Sequence, residues 1–342
     1  MSISATTAGC DLGYGNVKVV GRRAGAVHED QCVLPVGASP LELAPKTLNG
    51  KPDLCGGELV LVKGAPWVAG ADPLMLQGFA RQTHEGYIET DEYQALFFAA
   101  LARLGYSSID HLVTGLPCSH FFGPKAQDLI KRIRTRFCGE HWIRDGLSVR
   151  VKNVYVIAQP AGAFTAYRAE NPGVAVHPDS TCLVLDVGFF SVDYVLMMGD
   201  SLRHSSSGSS LYASSSVLTE AAQAIERKHK VKLTPSRLES TFRRGQGVLA
   251  IGGEEIELRP FMEEASAKAA RHVMAELAST LRQEGNALDK VLLTGGGAQW
   301  YAQAARAQFG DRKVLMGKDP VLANAKGYQF LAQKAAQRPQ AA

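Results

Sequence analysis

Apolar residues in this chain fall into short alternating runs at its start and into helical stripes further along. Residues 8–36 read as three short strands, the last ending at Pro35, because period-two alternation broken by turn residues marks half-buried strands. Residues 37–85 are rich in Gly, Pro and turn residues, with strand-like pieces at Glu58–Val62 and Pro66–Ala69. Residues 90–104 carry a helical pattern, with Thr90 as N-cap, Glu92 in the first turn and Gly105 where a C-cap belongs. His111–Gly115 reads as a strand, Pro124–Phe137 as a helix and Val149–Ile157 as an alternating strand. That strand runs into Ala158-Gln159-Pro160, where a helix begins, since proline is tolerated in a first helical turn.

The second half repeats the mixture. Residues 182–194 read as two strands around a turn, and Met197-Met198-Gly199-Asp200 as a hairpin tip. The run Ser205–Ser210 has the composition of a flexible linker, or of a loop lining a polar ligand. A helix is expected over roughly 211–229 and a shorter one over Pro235–Arg244, followed by a hairpin at Ile251–Leu258 with Gly252-Gly253 at its tip. Arg259–Glu284 is the longest helical pattern, with Phe261, Ala265, Ala269, Val273, Leu277 and Leu281 along one stripe. Asp289–Thr294 is a strand, followed by three glycines and a helix. Val314–Met316 closes the strands, Pro320–Ala332 the helices, and Gln333–Ala342 is expected to fray. Strands alternating with helices in this way imply an α/β fold with a mostly mixed sheet flanked by helices.

Two turns carry the candidate chemistry. The first is Asp11-Leu12-Gly13-Tyr14-Gly15-Asn16-Val17-Lys18. Gly13 and Gly15 tolerate positive φ and let a ligand approach the backbone. Exposed N–H groups in such a turn cradle phosphate, Lys18 supplies a point charge for the same anion, and Asp11 suits a hydrated Mg²⁺. An ordinary surface hairpin uses the same residue types. The second turn, Asp186-Val187-Gly188-Phe189-Phe190-Ser191-Val192-Asp193, superposes on the first with one offset. Asp11 matches Asp186, Gly13 matches Gly188, Tyr14 matches Phe189 and Val17 matches Val192. The duplication implies two related lobes, each presenting an Asp-x-Gly turn.

Gln159 follows a strand at the mouth of a helix. There a neutral amide orients a water without acting as a strong base; a simple cap is the other reading. Gly295-Gly296-Gly297-Ala298 lies between strand and helix, where backbone comes close to a flat or charged ligand. Lys125, Lys131, Arg132, Arg134, Arg136, Arg144, Arg150 and Lys152 crowd residues 125–152. They form a contact surface for nucleic acid or a neighbouring subunit, or else a solvated helix face, which is the expectation.

With 342 residues the chain has room for two domains, and 46% apolar with 20% charged residues describes a soluble globular protein. A net charge of +4 does not by itself imply nucleic-acid binding. The six cysteines lack metal-type spacing and suit reduced core thiols of a cytoplasmic protein. No apolar run approaches a membrane span, and the first ten residues lack a signal-peptide design.

In order and spacing, over about residues 8–330, these motifs resemble the actin-like ATPases, within the superfamily that includes heat-shock chaperone ATPases and sugar kinases. Residues 11–18 look like the family's first phosphate loop, Gln159-Pro160-Ala161-Gly162-Ala163 like its water-positioning segment, and residues 186–193 like its second phosphate loop. Thr294–Ala298 resembles the adenosine loop, Ala323-Asn324-Ala325-Lys326-Gly327 the closing helix motif, and Gly208-Ser209-Ser210-Leu211 the second hinge segment of the ParM/StbA branch. The second loop departs from the family, with Phe189-Phe190 where Gly, Asp or Thr is usual. Gln159 stands where some relatives carry Glu, whereas actin itself carries Gln.

The resemblance implies two ribonuclease-H-like lobes with a nucleotide cleft, lobe I being residues 1–165 plus 320–342 and lobe II residues 166–319. It implies ATP or GTP with Mg²⁺ held by Asp11 and Asp186, hydrolysis through a water oriented by Gln159, and filaments for plasmid or mobile-element segregation, engaged through a DNA-bound adaptor protein. Gly13, Tyr14, Gly15, Asn16, Lys18, Gly188, Phe189, Gly208, Gly295, Gly296, Gly297 and Ala298 would contact the nucleotide. Two rivals are a non-polymerising ATP-dependent switch acting on a protein or DNA partner, and a small-molecule kinase. The kinase needs a carboxylate base where Gln159 stands.

Overall fold

Thr7–Leu12 (β1) is buried at every position, because strands flank it on both sides and helices cover it. In the computed structural model, which describes residues 5–77, 79, 81–82, 85–172, 177–282 and 288–337, the chain continues through β2 (Asn16–Arg22), β3 (Asp30–Pro35), β4 (Gly37–Pro40), β5 (Glu58–Val62) and β6 (Ala65–Ala71). Next come α1 (Asp91–Leu104), β7 (Ser108–Leu116), α2 (Cys118–Phe121), α3 (Ala126–Phe137), β8 (Gly139–Arg144), β9 (Leu147–Ala158) and α4 (Gln159–Glu170). Then follow β10 (Thr181–Val187), β11 (Val192–Met198), β12 (Ser201–Ser210), α5 (Ser214–His229), α6 (Pro235–Arg243), β13 (Val248–Ile251) and β14 (Glu254–Glu257). The chain ends with α7 (Arg259–Arg282), β15 (Lys290–Thr294), α8 (Ala298–Phe309), β16 (Val314–Met316) and α9 (Ala323–Gln337).

These elements form two compact units, residues 1–176 with 317–342, and residues 177–316. The first holds a six-stranded sheet in the order β3-β2-β1-β7-β9-β8, in which β1, β7 and β9 run parallel. A three-stranded sheet, β4-β6-β5, accompanies it. The second holds a five-stranded sheet in the order β12-β11-β10-β15-β16, with β10, β15 and β16 parallel. Both sheets therefore start from an antiparallel trio and continue through parallel crossovers. The duplicated turn is the local mark of a duplicated topology.

Local chemistry explains the element ends. The Thr90 hydroxyl accepts the Tyr93 N–H at 3.2 Å, and Gly105 leaves α1 at φ +62°. Helix α1 is buried along most of its length, and its Phe97 stacks on Phe137 of α3 at 3.8 Å between ring centroids. Ile133 and Phe137 anchor α3, leaving its basic face outward. Gly252 and Gly253, at φ +61° and +84°, make the two-residue turn between β13 and β14.

Several expectations are corrected. The Ser/Gly run is neither linker nor loop, but the greater part of β12, paired with β11. Helix α5 begins at Ser214 rather than near 211. Strands β4 and β8 had no counterpart in the sequence reading. Helix α9 reaches Gln337 with Gln333 buried, so the end does not fray from 333; residues 338–342 lie outside the described residues, as do the last two expected for α7, 283–284. Among the described residues, no helix is long and apolar enough to cross a membrane.

Candidate functional site

In the first unit the hairpin register sets Asp11 opposite Lys18 and Leu12 opposite Val17. Only two residues, Tyr14 and Gly15, then remain between Gly13 and Asn16, and the Gly13 N–H donates to the Asn16 carbonyl at 3.1 Å. Asp11 is 3% exposed. A carboxylate that deep needs compensating donors. Lys18 Nζ donates to Asp11 Oδ2 at 3.0 Å, and Gln159 Nε2 donates to Asp11 Oδ1 at 3.3 Å. A carboxylate only accepts, so it fixes the amide of Gln159 with nitrogen toward Asp11 and Oε1 turned away.

Helix α9 supports this arrangement from beneath. The Tyr328 hydroxyl donates to the Gln159 carbonyl at 3.3 Å, and Asn324 Oδ1 accepts the Ala163 N–H at 3.1 Å. The approach is close enough to require glycine. A Cβ on Gly327 would lie 1.8 Å from the Gly162 carbonyl oxygen, and one on Gly9 would lie 2.2 Å from that of Ala325. Asn324 belongs to a motif singled out in the sequence. Tyr328 does not, although it lies one turn further on the same helix face.

The second unit repeats the hairpin. Asp186 is opposite Asp193 and Val187 opposite Val192, and the Gly188 N–H donates to the Ser191 carbonyl at 3.0 Å around Phe189-Phe190. Continuing the offset from Lys18 lands on Asp193, so the cation of the first hairpin is replaced by a buried carboxylate. Asp193 accepts hydrogen bonds from the Ser191 and Ser209 hydroxyls. The start of α5 fastens the turn from outside, with the Ser214 and Ser215 N–H groups donating to the Gly188 and Phe189 carbonyls at 3.2 and 2.8 Å.

Asp186 is 8% exposed and pairs across to Thr294 on β15. The chain then turns at Gly295 with φ +87°, and a Cβ there would lie 2.4 Å from Asp186 Oδ1. Gly297 donates its N–H to the Val187 carbonyl at 3.0 Å, and a Cβ on it would meet Ser214 Oγ at 2.6 Å. A Cβ on Gly296 would meet nothing within 4 Å, so that glycine faces open space. Ala298 opens α8 with its N–H on the Gly295 carbonyl.

The structure thus groups Asp11, Gly13, Lys18 and Gln159 in one unit, and Asp186, Gly188, Gly295 and Gly297 in the other. Tyr14 lies with its ring 5.0 Å from that of Tyr87, and its carbonyl accepts from Arg81 Nη1 at 2.7 Å. Gly208 is not at a turn. It lies on β12 opposite Tyr194, where a Cβ would meet the Tyr194 hydroxyl at 2.7 Å. Gly13 also differs from expectation. Gly13 adopts no positive φ; it is needed for space, a Cβ there lying 3.2 Å from Lys18 Nζ, as Gly188 is, where one would lie 2.8 Å from the Ser191 carbonyl.

No group of three or more His, Cys, Asp or Glu among the described residues is arranged to hold a metal ion. Mg²⁺ asks less, one or two carboxylates with the remaining ligands from water and phosphate. Asp11 and Asp186, taken each in its own unit, are hard oxygen donors beside a glycine turn, the kind of donor that requirement names.

Residues 9–162 match the family model of the actin-like proteins, N-terminal domain, and residues 184–305 that of the archaeal actin homologue MreB-like, C-terminal domain. No curated protein matches the chain. Among solved structures, a ParM filament from Clostridium botulinum is 18% identical at a TM-score of 0.75, over 97% of this chain and 99% of that one. An archaeal actin homologue is 16% identical at a TM-score of 0.76, over 96% and 99%. The same homologue in complex with ADP has a TM-score of 0.73 at 15% identity, over 96% and 99%. The shared architecture is the actin-like fold.

Proposed function

The chain belongs to the actin-like proteins, and from that premise we propose that it is an ATPase that binds ATP with Mg²⁺ and forms nucleotide-dependent filaments for segregating plasmid or mobile-element DNA. The observation that carries this reading is the Gln159 amide held on Asp11 beside Lys18. The ADP complex of the archaeal homologue and the filament of the clostridial ParM support its nucleotide and its assembly.

In this reading both Asp-x-Gly turns act on one nucleotide, and Gly295–Gly297 receive its adenosine. Gly13 and Gly188 spend their own N–H groups in closing the turns, so their contribution is room for a phosphate against the backbone. Lys18, seated on Asp11, would supply its charge to a β/γ oxygen. Asp11 and Asp186 would hold Mg²⁺, which when bound would supply charge neutralisation at the phosphates. Gln159 Oε1, turned away from Asp11, accepts a hydrogen bond from the attacking water and fixes its approach. A neutral amide contributes orientation rather than basicity, so turnover is slow. Loss of the γ-phosphate then biases assembly, as nucleotide switches do.

Light scattering with and without ATP–Mg²⁺, read beside phosphate release on the same sample, tests the reading. Scattering that rises only with ATP–Mg²⁺ supports it. Hydrolysis without polymer at any protein concentration favours the non-polymerising switch.

A further inference from the structure

Helix α3 lies along β9 and leaves between them a groove of about 860 Å³. One helical face, Gln127, Lys131 and Arg134, forms a wall of it with the C-cap Cys138 beyond, and Lys152 and Tyr155 of β9 stand across. The floor is Ile130 and Val154. The spacing i, i+4, i+7 explains why the three helical residues line up.

Most of the neighbouring cations are committed elsewhere. Arg132 pairs with Glu89 and Asp128. Arg136 donates to the Ile88 and Thr90 carbonyls and to Gln94. Arg144 pairs with Glu58 and Arg150 with Glu140. Lys152 reaches Asp110 at 2.7 Å. Lys131 and Arg134 make no ion pair among the described residues, and both are exposed. Among the described residues, no carboxylate lines the groove. The basic sequence is therefore neither one cationic surface nor only a solvated face; it is a short cationic slot with an apolar floor, bordered by neutralised pairs.

We propose that this groove docks a short acidic segment of a partner protein, its carboxylates on Lys131 and Arg134 and its apolar side chains on Ile130, Val154 and the Tyr155 ring. Complementary charge selects the partner and speeds its approach, and the apolar floor provides the contact that a polar rim alone does not. A long polyanion fits less well. Nucleic-acid affinity grows with the number of phosphates neutralised, and beyond the slot a strand would meet Glu89, Asp128 and Glu140. Tyr155 is held for such a contact, its hydroxyl 3.2 Å from His111 Nδ1 and its ring stacked on the imidazole at 5.9 Å.

The test uses the full chain and a fluorescein-labelled peptide with leucines at i, i+4 and i+7 flanked by glutamates. Anisotropy should show binding that weakens with added salt. The double variant Lys131→Glu, Arg134→Glu should lose about tenfold in affinity, the milder Lys131→Ala, Arg134→Ala should lose less, and both should keep the parent's circular dichroism. Lys318→Glu, an exposed charge reversal outside the groove, should bind as the parent does. An equal loss in Lys318→Glu would show diffuse attraction and overturn the site. Tighter binding of a single-stranded oligonucleotide than of the peptide at the same salt would overturn the partner class. No binding of the peptide to the parent chain would overturn the proposal.

Discussion

Gln159 and Asp11, 148 residues apart in the chain, meet at 3.3 Å, and the carboxylate decides which end of the amide faces inward. The pairing depends on three elements at once. The hairpin buries Asp11, the end of β9 delivers Gln159 to the first position of α4, and Tyr328 of α9 holds the Gln159 carbonyl. An acid at position 159 would put two carboxylates together, which the single Lys18 would have to serve. The neutral amide suits its place beside a buried Asp.

Gln159→Ala removes the oxygen proposed to orient the water but leaves both turns and Lys18 in place. ATP affinity is expected to stay within about threefold of the parent, while turnover falls by about a hundredfold, the scale of losing one orientation contact. Filaments formed with ATP should then persist. Phosphate release and scattering recorded on one sample check both halves, and polymers that disassemble at parental speed without hydrolysis would contradict the coupling.

Lys18→Ala is expected to weaken ATP more than ADP, because in the proposed function its ammonium serves the β/γ end. Losses of about tenfold and threefold respectively are the scale of one charge-assisted contact. Titration calorimetry with each nucleotide separates this from a structural role, in which both would weaken equally. The variant also takes the cation from the buried Asp11 carboxylate and leaves it the neutral Gln159 amide, so a lower thermal midpoint in the absence of nucleotide is expected too.

The strands around the two turns were legible because apolar alternation and turn residues agree there. Strand β12 was not. Its inward positions are Ser206 and Ser210, buried with no apolar side chain to mark them, and Gly208 is small because Tyr194 lies across from it. A strand whose buried side carries hydroxyls has the composition of a linker. At the candidate site, Asp11, Asp186 and Gln159 were legible from residue type and position. The exchange of Lys18 for Asp193 was within reach of the same offset but shows its meaning only in the paired register. Tyr328 was out of reach, since nothing local to residue 328 records that its hydroxyl touches residue 159.

The contact of α9 with α4 is backbone against backbone. Gly327→Ala would put a methyl group 1.8 Å from the Gly162 oxygen, and neither side has a flexible group to yield. The helix would have to lift away, loosening Tyr328 from Gln159 and Asn324 from Ala163. A loss of about 3 kcal/mol is expected, lowering the thermal midpoint by roughly 10 °C. An unchanged midpoint would mean that α9 is not held as described.

The cysteines report burial independently. All six are free thiols. Burial pushes the Cys182 thiol up to about 12 and the Cys10 thiol higher still, so both stay protonated and unreactive near pH 8. Cys138 is exposed, and Cys118 is buried. Alkylation of the native protein is expected to label Cys138 first and to leave Cys10, Cys118 and Cys182 unlabelled until denaturant is added, when all six react. Mass spectrometry of the labelled peptides reads the order, and early labelling of Cys182 would contradict the packing of β10.

The three adjacent glycines after β15 have different constraints, and alanine substitution separates them. Gly295 sits at φ +87°, which a side chain resists, and its added Cβ would lie 2.4 Å from Asp186 Oδ1. Gly295→Ala must therefore either distort the turn or displace the carboxylate. It is expected to cost about 2 kcal/mol of stability and, if Asp186 serves the nucleotide, to lower affinity for ADP–Mg²⁺ by about tenfold or more. Gly296 has neither constraint, with no positive φ and nothing within 4 Å of an added Cβ. Gly296→Ala should fold with the parent's midpoint, and any loss of nucleotide affinity it shows would come from a methyl group facing the ligand. Thermal unfolding and ADP titration on the two variants distinguish the cases. A destabilised Gly295→Ala with full affinity would remove Asp186 from the site. A fully stable Gly295→Ala would show that the turn is not held at this geometry.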